Sequence, residues 1–144
     1  MNTTLFVGLA LVSGFAITLQ AQFMGLMDRG LGTRESVFIT YGGGGLLAIL
    51  LMAAGRGGHL GAWRSVPWYA FTAGALGLVI VGTIGYVVPR LGVARSLTLI
   101  IASQLLLAAL IDHFGIFGAD LRPMDGPRAL GMVAVLAGAW LAVR

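Results

Sequence analysis

The sequence predicts an all-α membrane protein with five transmembrane helices, and three observations carry the prediction. Of 144 residues, 58% are hydrophobic and only 10% are charged, where a soluble domain has about 25% charged. The apolar runs are long enough to cross a hydrocarbon core, which takes about 20 residues per helix. The charge that remains sits between the runs: nine arginines and no lysine, mostly spaced singly. Scattered arginines suit lipid head groups and not the clustered basic stripe of a nucleic-acid binder.

The first helix is expected over residues 4–27. Met1-Asn2-Thr3-Thr4 has no basic lead-in, and the apolar run is too long for a cleaved leader, so it reads as a retained helix. At 100° per residue Ala10, Ser13, Ile17, Gln20 and Met24 share one side. Asp28 to Arg34 reads as a short polar turn, which makes the first two helices antiparallel neighbours.

The second helix, 35–54, has Thr33 as an expected N-cap and Glu35 in its first turn. Inside it lies Tyr41-Gly42-Gly43-Gly44-Gly45. Four glycines cost a helix about 1 kcal/mol each in water relative to alanine. Close helix packing accounts for them best; a hinge lining a cavity is the alternative. A loop with Arg56, His59 and Arg64 follows, and His59 reads as a solvated loop histidine.

The third helix, 65–88, is expected to be capped by Ser65, to tolerate Pro67 in its first turn and to end at Pro89. Trp63, Trp68 and Tyr69 make an interfacial aromatic belt. Ala70, Gly74, Gly77, Val81 and Gly85 form a seam of small residues.

The fourth helix, 93–115, has sixteen residues without an ionisable group, Ser96 to Ile111. Gln104, Ala108 and Asp112 form one ridge, and Thr98, Ala102, Leu105 and Ala109 a small face beside it. The fifth helix, 127–143, starts at Asp125 or Gly126 before Pro127, with Gly131, Ala134 and Gly138 on one face and Trp140 near its end.

Five spans put the two termini on opposite sides of the membrane. Arg56, Arg64, Arg122 and Arg128 then lie on one side; Arg29, Arg34, Arg90, Arg95 and Arg144 lie on the other. Four against five gives no positive-inside bias, a pattern compatible with insertion in both orientations.

The chemistry is narrowed by what the chain lacks. There is no cysteine, no His and carboxylate set at metal-ligand spacing and no phosphate loop. No cofactor is expected. No nucleophile accompanies Asp112-His113, so an intramembrane enzyme is disfavoured. That pair reads first as a helix end at head-group depth, and second as a proton relay. No span carries a mid-membrane carboxylate of the kind that couples cation export to protons in the small four-helix multidrug exporters. Gln20 and Gln104 remain as mid-span amides, each either a solute contact or an interhelical hydrogen bond worth roughly 0.6 kcal/mol.

Leu91-Gly92-Val93-Ala94, Ala102-Ser103-Gln104-Leu105 and Leu110-Ile111-Asp112-His113-Phe114-Gly115-Ile116-Phe117-Gly118 resemble the signature of the YdcZ-type five-helix family of the drug/metabolite transporter superfamily. Gly14 through Leu19-Gln20, Gly74-Ala75-Leu76-Gly77, Pro89-Arg90-Leu91-Gly92 and residues 127–144 extend the resemblance over nearly the whole chain. It implies a single five-helix domain over residues 1–144, half of a ten-helix inverted-repeat assembly in the inner (cytoplasmic) membrane. The family commonly has an Asn four residues after the first-helix Gln, where this chain has Met24, which implies a less polar pocket. The resemblance further implies an antiparallel homodimer, or a pair with an inverted paralogue, in the lipid bilayer. It would be a secondary transporter or exporter of a small organic solute, with Gln20, Met24, Tyr41, Gln104 and Asp112 lining the path. The rival reading is a non-transporting assembly or partner-binding subunit.

Overall fold

The computed structural model describes residues 3–55 and 57–144. Met1, Asn2 and Arg56, which enter the reading of the N-terminus and of the loop charges, lie outside the described residues. The protein is all-helical, with no strand among the described residues. Its α-helices are α1 (Thr3–Leu31), α2 (Thr33–Ala54), α3 (Ala73–Leu91), α4 (Val93–Phe114) and α5 (Gly126–Val143). Five segments are long and apolar enough to cross a membrane, the third running from Trp68 to Leu91. Large apolar side chains such as Phe15, Phe38, Leu51, Val79 and Leu130 are exposed along the helices, as a lipid-facing surface requires.

Chain contacts divide the molecule into two compact units, residues 1–91 and 92–144. In the first, α1 packs on both α2 and α3, and α2 also packs on α3. The core is narrow: Ala21, Met24 and Gly25 of α1 and Ile84, Gly85 and Val88 of α3 are buried. Small residues bring these two helices together. A Cβ at Gly25 would stand 3.0 Å from Val88 Cγ1, and one at Gly85 would stand 3.1 Å from Met24 Cε. The seam expected on α3 is therefore present at Gly77 and Gly85, while Gly74 has open space around it.

Both ends of the first turn differ from expectation. α1 continues through Asp28, Arg29 and Gly30 to Leu31, and the cap of α2 is Gly32, not Thr33. The Thr33 hydroxyl instead donates to Asp28 Oδ1, and Arg90 Nη1 of α3 reaches Asp28 Oδ2 at 3.2 Å. Arg90 neutralises the carboxylate and the Thr33 hydroxyl hydrogen-bonds it, so the helix has no need to unwind there.

α3 likewise starts at Ala73 and not at Ser65, because two 3-10 turns, Leu60–Ser65 and Trp68–Thr72, precede it on either side of Pro67. The Ser65 hydroxyl donates back to the Ala62 carbonyl at 2.8 Å rather than capping a helix. Pro89 does not end α3. It lies inside the last turn, where only one backbone donor is lost, and Arg29 Nη2 donates to its carbonyl at 3.4 Å.

A turn recurs at an interval of 60 residues. Leu31-Gly32 leads to Ser36, and Leu91-Gly92 leads to Ser96. Gly32 has φ 102°, ψ 164° and Gly92 φ 85°, ψ 156°, a region open essentially only to glycine. Each serine is buried, and its hydroxyl donates to the glycine carbonyl at 2.7 Å. One glycine thus joins two long helices, and the buried serine hydroxyl is satisfied within the turn.

The second unit is a pair of packed helices, α4 and α5. The small face expected on α4 is buried at Ala102 and Ala109. On α5 the buried residue is Ala139. The face shared by Gly131, Ala134 and Gly138 is exposed, and both glycines have open space where a Cβ would stand. Asp125 caps α5 by accepting from the Arg128 backbone N–H at 2.8 Å, with Pro127 in the first turn.

Candidate functional site

A groove of about 360 Å³ opens in the first unit, lined by Gln20, Thr40, Tyr41, Gly44, Gly45, Ala48 and Val81. Its floor is a helical row on α2, since Tyr41, Gly44, Gly45 and Ala48 stand at i, i+3, i+4 and i+7. Gly44 lies eleven residues after Thr33 and ten before Ala54, so the groove sits at mid-span of α2.

The glycine run acquires a definite role in this geometry. α2 is uninterrupted through Gly42 to Gly45, so this structure holds no unwound hinge there. Nor do the four glycines pack closely inside the unit, because a Cβ at any of them would meet nothing within 4 Å. Gly44 and Gly45 leave bare backbone as the groove floor.

Three polar side chains come to this floor by different routes. Gln20 reaches it from α1 as an exposed amide. Tyr41 is half-buried, its hydroxyl lying where a Cβ of Gly77 would stand, so the ring is wedged between α2 and α3. The Thr40 hydroxyl donates to Met24 Sδ at 2.7 Å. Met24 itself does not line the groove: it is 1% exposed and lies behind Thr40, against Gly85.

Of the residues expected on the path, Gln20, Met24 and Tyr41 are therefore gathered in one unit, two on the groove and one supporting it. Gln104 and Asp112 belong to the other unit. Gln104 is exposed on α4. Asp112 Oδ2 accepts from Arg128 Nη2 at 3.0 Å, and its carbonyl accepts from the Arg122 backbone N–H at 2.8 Å. His113 Nδ1 accepts from the Met124 backbone N–H at 2.9 Å. These bonds tie the 115–125 loop back onto the end of α4, so Asp112-His113 is a helix end with a fastened loop. Thr40 is a groove residue that sequence reasoning does not single out. Its signal, a threonine beside Tyr41 within an apolar stretch, gains meaning only from Met24 sixteen residues away.

Five spans long and apolar enough to cross a membrane make this an integral, multi-pass membrane protein, and the groove of residues 1–91 lies at mid-span of α2. The chain matches the model of the family described as "Putative inner membrane exporter, YdcZ" over residues 5–141, and it belongs to that family. It is 28% identical to the inner membrane protein YdcZ of Escherichia coli (strain K12) over 152 aligned positions, covering 100% of this chain and 98% of that protein. No solved structure matches the chain.

Proposed function

We propose that this chain is a secondary exporter of a small organic solute, not an enzyme, and that it works by alternating access as an antiparallel pair of five-helix units. The observation that carries the reading is the convergence of Gln20, Thr40 and Tyr41 on a bare-backbone groove at mid-span. Midplane sites lined by irregular or bare backbone are how secondary transporters hold solutes. Membership of an inner-membrane exporter family supports the same class. The pairing is supported by small-residue faces that the chain leaves open, Gly42 and Gly43 on α2 and Gly131 and Gly138 on α5, since such faces in membranes mark helix contacts. The near-even arginine count, four against five, suits two opposite orientations. In this reading Gln104 hydrogen-bonds across the pair and Asp112 holds the loop before α5.

Thermal melts of the purified protein across a panel of charged and uncharged metabolites test the site, because a ligand of the folded state raises the melting temperature by mass action. A stabilising solute should lose its effect in Gln20→Leu and keep it in Gln104→Leu, while Gln104→Leu weakens the dimer. The opposite pattern would move the site to the second unit. Tags read from both faces of the membrane check the pairing; one orientation in every molecule, with no inverted partner, overturns it.

A further inference from the structure

The groove lining contains no carboxylate, guanidinium or ammonium group. The charges of the first unit lie elsewhere. Asp28 is eight residues past Gln20 and Arg90 nine past Val81, about 12 and 13 Å along their helices at 1.5 Å per residue. Asp28 and Arg90 are also occupied with each other. Arg34 and Glu35 line a different depression, with Leu31, Phe38 and Ile39. An ion in the groove would have no counter-charge among the residues that line it, and an unpaired ion at mid-membrane depth is strongly disfavoured.

The polarity of Thr40 is set from behind. A thioether sulfur carries no proton and can only accept. In this packing the Thr40 hydroxyl donates to Met24, a weak acceptor, and the oxygen presents lone pairs to the groove. Met24 cannot readily swing away, since it is buried and its methyl packs on Gly85. The bare backbone of Gly44 and Gly45 beside the wedged Tyr41 ring gives a flat wall.

We propose that the groove takes an uncharged, flat, largely apolar solute bearing an N–H or O–H donor, bound through Thr40 Oγ1. Met24 is the positioning residue that keeps that oxygen an acceptor. This rests on the reading of the groove as the solute site.

Equilibrium dialysis of the full-length protein against four probes tests it. Indole has one N–H donor and 1-methylindole none. Quinoline is a flat acceptor, and N-methylquinolinium carries a fixed charge. The wild type should bind indole about tenfold more tightly than 1-methylindole or quinoline, as expected for one hydrogen bond to a half-buried partner, and should exclude the quinolinium ion. Thr40→Val should erase the preference and Thr40→Ser should keep it. Met24→Leu holds the volume but frees the hydroxyl to donate, so the indole-to-quinoline ratio should fall towards one; loss of packing alone would weaken both probes together. Ala48→Trp, which fills the groove, should abolish all binding. A wild type that binds none of the uncharged probes, fails to discriminate among them, or accepts the quinolinium ion equally overturns the proposal. So does an unchanged ratio in Met24→Leu. If indole binds with its preference intact in Ala48→Trp, the groove is not the solute site, and the reading beneath the proposal fails with it.

Discussion

In residues 1–91 three helices meet and side chains from each of them share a groove. In residues 92–144 two helices meet, and the mid-span amide of Gln104 is left exposed. Both units use small residues to bring helices together: Gly25 and Gly85 in the first, Ala102 and Ala109 in the second. The third helix makes the difference. Two packed helices meet along a seam. A third, held off by the Tyr41 ring against Gly77, leaves a space with a floor and walls. Gln20 and Gln104 look alike in sequence, and only their surroundings divide them into a groove wall and an outward-facing amide.

The largest expected effect breaks the first unit at its seam. Gly85→Leu forces a side chain where a Cβ alone would stand 3.1 Å from Met24 Cε, and overpacking of this kind costs about 1–3 kcal/mol. Gly138→Leu, with open space at its Cβ, should change the stability of the single chain by no more than about 0.5 kcal/mol. Denaturant titration of both variants in detergent checks the contrast, and equal losses would show that the α5 face is packed within the chain.

A smaller effect separates the two ion pairs. The side chain of Asp28 is 7% exposed, against 37% for Asp112. Arg90→Met leaves a buried carboxylate whose side-chain partner among the described residues is the Thr33 hydroxyl, and should cost about 1–3 kcal/mol, the desolvation of a group stripped of its ion pair. Arg128→Met removes a half-exposed pair worth about 0.2–1 kcal/mol. The same titration should rank them in that order.

Much of the fold is legible in the sequence, because run length and charge spacing are local properties. The existence of each span and the Asp125 cap follow from residues close together in the chain. The errors fall where distant residues intervene. Asp28 stays helical because Arg90, sixty-two residues on, pairs with it. Gly32 rather than Thr33 caps α2 because the turn needs a positive φ, which no residue pattern displays directly. Part of the site is legible too, since a mid-span glutamine and a tyrosine beside a glycine run are unusual in hydrocarbon. The role of Thr40 is not. A mid-helix hydroxyl ordinarily bonds its own helix, as Thr18 does with the Gly14 carbonyl at 3.0 Å, and only the packing of α1 on α2 turns Thr40 to Met24.

A groove that takes solute inside the membrane must be reached by water. The chain has no cysteine, so a single thiol can report on one position at a time. Gly45 lines the groove; Leu47, two residues on, is exposed on the other side of α2 at nearly the same depth. Maleimide modification proceeds through the thiolate, which forms where water reaches. In proteoliposomes treated with a small uncharged maleimide, Gly45→Cys should be labelled and a bound solute should slow the labelling, while Leu47→Cys, whose thiol stays protonated against lipid, stays unlabelled. A Gly45→Cys thiol as inert as that of Leu47→Cys would contradict the account.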